Sequence, residues 1–147
     1  MGHLPTIFSE SLGDIFMSLD TSGSMSDTDL AEGISEFRGI RQTQPFPLHY
    51  LCCDAQVYTV HSYDKHEEPD WASMKIEGGG GTSFVPVFTM IEEWKEEKGT
   101  KPTLLVFFTD GYGDFPSEEP DYPVIWVCSR GGLDSERFPF GEVIRMD

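Results

Sequence analysis

The run Thr103-Leu104-Leu105-Val106-Phe107-Phe108 is the strongest constraint on what this chain can fold into. Successive side chains of a strand point to opposite faces, so a strand with no polar alternation needs cover on both sides. That is the situation of a parallel sheet between layers of helix. Val124-Ile125-Trp126-Val127-Cys128, Leu48-His49-Tyr50-Leu51-Cys52-Cys53 and the stretch 14–20 read the same way. Between these runs the apolar period changes. Leu30, Ile34, Phe37 and Arg41 follow at spacings of four, three and four, which predicts a helix over 27–42. Ser26 and Asp29 form a capping-box-like pair at its start. Phe84, Val87, Phe88, Ile91 and Trp94 predict a second helix over 84–98, with Pro86 in its first turn and Gly99 as its stop. Gln56 to His61 alternates polar and apolar, as an edge strand paired through a turn at Asp54-Ala55 would. Gly141 to Met146 reads as a last short strand. The expected class is α/β: a Rossmann-like, mostly parallel central sheet with one antiparallel edge hairpin.

The helix complement is reduced after the fourth strand. Gly111, Gly113, Pro116 and Pro120 interrupt the segment before Val124, and Gly131, Gly132 and Pro139 interrupt the segment before Glu142. Neither can hold a long amphipathic helix. The last two long strands therefore lack an obvious cover. The expectation is an exposed apolar patch beside them that docks on another surface, either a partner or a second copy in a weak homodimer.

One domain accounts for 147 residues: a lead-in arm over 1–13, then the α/β unit over 14–147. The formal net charge is −16, which disfavours nucleic acid and anionic membrane as partners and favours cations and basic surfaces. Cys52, Cys53 and Cys128 lie in apolar runs without metal spacing and read as reduced core thiols. The start of the chain lacks the basic and apolar regions of a signal peptide. No apolar run approaches the roughly 20 residues of a membrane helix. The expected location is cytoplasmic.

Chemistry concentrates at Asp20-Thr21-Ser22-Gly23-Ser24. A carboxylate and two hydroxyls leave the end of the first strand at positions i, i+2 and i+4, on one side of an extended segment. Oxygen-only donors suit Mg²⁺, Mn²⁺ or Ca²⁺. Asp110 ends another apolar strand, and Thr82 enters the second helix from the same side after Gly78 to Gly81. In parallel sheets ligands bind above the carboxyl ends of the strands. Asp54 reads first as a turn residue, and Tyr112 and Asp114 as loop residues; all three are candidates for the rim of the site. The glycine run lacks the lysine of a phosphate loop, and His49 and His61 read as structural.

Asp20, Ser22 and Ser24, then Thr82, then Thr109-Asp110-Gly111 resemble, in order and spacing, the von Willebrand factor A (VWA) domain and its metal-ion-dependent adhesion site (MIDAS). The resemblance covers roughly residues 14–128. It implies Asp20, Ser22, Ser24, Thr82 and Asp110 as ligands of a divalent cation. Asp20 to Ser26, Gly80-Gly81-Thr82, Phe108 to Pro116 and Phe140 to Ile144 further resemble a bacterial VWA-like family. There the domain forms the C-terminal half of a longer chain whose N-terminal half resembles a metallopeptidase, and by analogy such proteins work beside AAA+ ATPases. The implied function is a metal-dependent protein-interaction module in which a partner's Asp or Glu completes the metal shell. The alternative is a Mg²⁺-dependent phosphohydrolase or phosphotransferase of haloacid-dehalogenase-like type with Asp20 as nucleophile. Such enzymes want a second Asp two residues on, where this chain has Ser22. No catalytic constellation is evident, so the expectation is no intrinsic turnover.

Overall fold

Buried apolar runs form the sheet that their composition demands. The computed structural model describes residues 13–21, 26–71 and 81–146. In chain order the elements are β1 (Ile15–Asp20), α1 (Asp27–Thr43), β2 (Leu48–Cys53), β3 (His61–Tyr63), α2 (Val85–Lys98), β4 (Leu104–Thr109), β5 (Val124–Cys128) and β6 (Glu142–Arg145). They make one six-stranded sheet in the order β3-β2-β1-β4-β5-β6. Every pairing is parallel except β2 with β3. The chain builds outward from β1 in both directions, so the strand order reverses between β1 and β4.

The two faces are separate cores. Met17, Leu19, Cys52, Val106 and Phe108 pack with Leu30 and Phe37 of α1. Phe16, Leu51, Leu105, Phe107 and Trp126 pack with Val87, Phe88 and Ile91 of α2. Helix α1 begins as its sequence suggests: the Ser26 side chain accepts from the Asp29 backbone N–H at 3.0 Å. Gly33, on its buried face, lies directly against the sheet. A Cβ there would lie 2.4 Å from the Phe108 ring. Arg41, on the same face, is only 4 % exposed. Its guanidinium donates to the carbonyls of Phe46 (3.1 Å), Glu67 (2.8 Å) and Asp64 (2.7 Å). One buried side chain thereby ties the end of α1 to the loop after β3.

Two expectations need correction. The edge strand is His61–Tyr63, not Gln56 to His61. The ladder starts with a single bridge, Cys53 to Val57, and resumes only at Tyr50 opposite His61. The register has slipped by one residue between these points, so the outer strand carries an extra residue, as in a β-bulge. The second correction concerns the apolar patch. All of β5 is buried, and the only exposed large hydrophobics among the described residues are Val85 and Tyr112. On the α2 side, aromatics from the helix-poor connections supply the missing cover. Phe115, Phe138 and Phe140 lie with ring centroids 5.2, 5.5 and 5.9 Å from Trp126. The Trp126 indole N–H donates to the Phe140 carbonyl at 2.9 Å. The reduced helix complement itself holds: between β5 and β6 there is one 3-10 turn, Ser135–Arg137.

No helix among the described residues is long and apolar enough to cross a membrane. Cys52, Cys53 and Cys128 are buried thiols outside any disulfide, as expected.

Candidate metal centre at the reversal of strand order

Asp20 is the last residue of β1 and is fully buried. β2 and β4 flank its strand on both sides. Its carboxylate Oδ2 accepts from the Thr109 hydroxyl at 2.5 Å. The same hydroxyl oxygen accepts from the Gly111 backbone N–H at 3.0 Å. Thr109 thus braces Asp20 from the neighbouring strand and shapes the turn that carries Asp110. Sequence reasoning passed over Thr109 as part of a Thr-Asp-Gly phrase; its signal was a hydroxyl ending an otherwise apolar strand.

Asp110 follows directly and is 6 % exposed. Its Oδ1 accepts from the Tyr112 N–H at 3.0 Å, and its carbonyl accepts from the Leu133 N–H at 2.7 Å. Thr82 sits in the loop leading to α2. A Cβ on Gly113 would come within 2.6 Å of the Thr82 methyl carbon, so the loop after β4 lies directly against Thr82. The backbone fastens the same loops. Ser83 N–H donates to the Asp54 carbonyl (3.0 Å), and Phe84 N–H to the Asp114 carbonyl (2.9 Å). The ends of β1, β2 and β4 and the start of α2 thus meet on one side of the sheet, where ligand sites form in open parallel sheets. Ser22 and Ser24 lie outside the described residues, as do Gly78, Gly79 and Gly80.

Among the rim candidates, Asp54 is buried. Its Oδ1 accepts from the Gln56 N–H (3.1 Å) and its Oδ2 from the Tyr58 hydroxyl (2.9 Å). That is the side-chain-to-backbone bonding of a turn aspartate. Tyr112 is 53 % exposed, and Asp114 is exposed beside Thr82 through the Ser83 bridge. Negative charge at this edge is felt underneath. The Cys53 thiol is pushed up to about 12, chiefly by burial, with Asp20 and Asp54 adding in the same direction and the Ser18 hydroxyl bond opposing.

The donor chemistry of Asp20, Thr82 and Asp110 fits a hard divalent cation. Their oxygens are carboxylate and hydroxyl only, and two buried carboxylates at one sheet edge gain from a compensating positive charge. No group of three or more His, Cys, Asp or Glu side chains among the described residues is arranged as a metal cage. A site here would depend on hydroxyl ligands.

The opposite end of the sheet holds a second polar cluster. His49 is hydrogen-bonded to the Asp14 carboxylate through Nε2 at 2.8 Å and to the Ser62 hydroxyl through Nδ1 at 2.8 Å. Its ring stacks on Phe16 at 4.6 Å. These partners come from β3 and from the residue before β1, so no sequence spacing announced them.

Comparison with known proteins agrees with this architecture. The family model for the VWA-like domain (DUF2201) matches residues 15–147. An uncharacterized protein of Thermotoga maritima is 33 % identical over 114 residues, covering 78 % of this chain. The chain spans 27 % of that relative's length. The ArnB paralog VWA2 from Sulfolobus acidocaldarius is similar in structure, with a TM-score of 0.62 at 14 % identity over 81 % of this chain and 35 % of that one. The conserved hypothetical protein BatB from Bacteroides thetaiotaomicron has a TM-score of 0.56 at 14 % identity, covering 89 % and 78 %. Matched by that model over nearly its whole length, the chain belongs to the VWA-like domain family.

Proposed function

We propose that this domain is a metal-dependent protein-interaction module. Asp20, Thr82 and Asp110, with Ser22 and Ser24 from the sequence, would hold Mg²⁺ or a similar cation. The observation that carries the reading is the placement of Asp20 and Asp110 at the carboxyl ends of adjacent strands where the strand order reverses, with Asp20 held by the Thr109 hydroxyl. A divalent cation held by two carboxylates and several neutral hydroxyls is only just balanced in formal charge, and with one carboxylate binding through water it stays electron-poor. It would favour a carboxylate from a partner as a further ligand. The residues' own task is to hold that ion at an exposed rim, beside Tyr112 and Asp114. The remainder of a longer chain, of the length seen in the Thermotoga relative, and a separate ATPase are the partners this reading would test first.

The phosphotransfer alternative gains no support. Its second acid is absent at Ser22, and the family and the structural relatives are VWA-like.

The direct test is calorimetric titration with MnCl₂. One bound ion is expected in the wild type, with binding lost in Asp20→Asn and weakened in Thr82→Ala. Unchanged Mn²⁺ binding in both folded variants would refute the site.

A further inference from the structure

We propose that the groove between α2 and the 115–122 loop is a docking site for a peptide segment carrying an apolar side chain flanked by lysines or arginines. The groove encloses about 640 Å³. It exists because the connection from β4 to β5 crosses the sheet without a helix and leaves the outer flank of α2 uncovered.

Its floor is apolar, built by Phe88, Phe115 and Tyr122. Its mouth is marked by Val85, one of only two exposed large hydrophobics among the described residues. The rim carries four carboxylates, Glu92, Glu118, Glu119 and Asp121, against one cation, Lys95. That lysine is already engaged: its ammonium donates to Glu92 at 3.1 Å and to Asp121 at 2.6 Å. The carboxylates of Glu118 and Glu119 are left to set the sign of the rim, and they select a basic ligand.

A second observation concerns the wall of the groove. Tyr122 is 5 % exposed, and its hydroxyl has no hydrogen-bond partner among the described residues. Such groups are rare, because a buried hydroxyl gives up its hydration for nothing in return. Burial holds the Tyr122 pKa above its ordinary value, so the hydroxyl remains a donor. The oxygen is sealed from solvent, so an occupant supplies an acceptor only by drawing the Tyr122 ring outward. Apolar anchors in a pocket with a polar rim are the usual anatomy of peptide recognition. A second copy of this chain is a poor occupant, since two molecules of charge −16 repel.

This site differs from the cation site and does not need the ion. The probe is the fluorescein-labelled peptide Arg-Lys-Phe-Leu-Lys-Arg, with Glu-Asp-Phe-Leu-Asp-Glu as its acidic counterpart, read by anisotropy with EDTA present. The basic peptide should bind and the acidic one should not. Glu118→Lys with Glu119→Lys should weaken binding by about tenfold or more, equivalent to roughly 1.4 kcal/mol. Val85→Lys should act in the same direction. The control pair Glu96→Lys with Glu97→Lys makes the same charge change on α2 outside the groove. It should weaken binding no more than about twofold, since long-range attraction is screened. Equal loss in both pairs would mean general charge attraction and overturn the proposal. So would the absence of binding, or a dimer in light scattering that Val85→Lys dissolves.

Discussion

Asp20 closes a strand and also offers itself as a ligand, and substitutions should separate the two roles. Replacement by Ala removes the acceptor of the buried Thr109 hydroxyl, and an orphaned buried donor costs about 1–3 kcal/mol. Asp20→Asn keeps an acceptor and lowers only the charge. In denaturant titration the Ala variant should therefore be the less stable of the two, while both lose Mn²⁺. Gly33 makes the opposite point about small residues. Ala normally helps a helix, yet here its Cβ would meet the Phe108 ring at 2.4 Å. Gly33→Ala is expected to destabilise by about 1–3 kcal/mol through overpacking, visible as a lowered thermal midpoint. Asp20 and Asp110 were legible in the sequence because a carboxylate ends an apolar run abruptly. The fit of Gly33 to Phe108 was not, because that contact spans two elements whose relative depth no local pattern encodes.

Helix α1 shows which properties of an element can be read from its own residues. Its start was legible in Ser26 and Asp29, whose bond is local. Its far end depends on Arg41, which periodicity placed on the apolar face without saying why a charge belongs there. The three carbonyls it serves come from Phe46, Asp64 and Glu67, and burial lowers its pKa while Glu68 and Glu67 oppose the shift. A lysine has one ammonium in place of a planar fork, so Arg41→Lys should not rescue the site. Arg41→Lys and Arg41→Ala are both expected to lose about 1–3 kcal/mol, from buried carbonyls left unsatisfied. Hydrogen exchange should show the loop around 64–67 opening first. The β3 hairpin misled in the other direction. Its alternating 56–61 stretch has strand chemistry, but an extra residue between Val57 and His61 breaks the ladder, and pairing resumes only at His61.

For the molecule as a whole, the two-sided core was legible in β4 and β5, whose lack of alternation demanded cover. The form of that cover was not, because Phe115, Phe138 and Phe140 follow no period. Burial raises the pKa values of Cys53, Cys128 and Tyr122 together. Each stays neutral in the fold at a pH where it ionises in the unfolded chain. The unfolded chain then binds fewer protons, so stability falls as pH rises. For Cys53 the loss begins near the ordinary thiol value of 9.0 and runs to about 12. Urea midpoints should hold steady up to about pH 8 and decline by pH 10, with Cys53 resisting iodoacetamide until the protein unfolds. Strand order has a further consequence, in time. The central strand β1 finds one of its two neighbours in β4, and the Thr109–Asp20 bond closes a separation of 89 residues. Long loops must close before such contacts form, which slows folding. During synthesis β1 waits for most of the chain to emerge, and until β4 arrives one edge of the half-built sheet stands open.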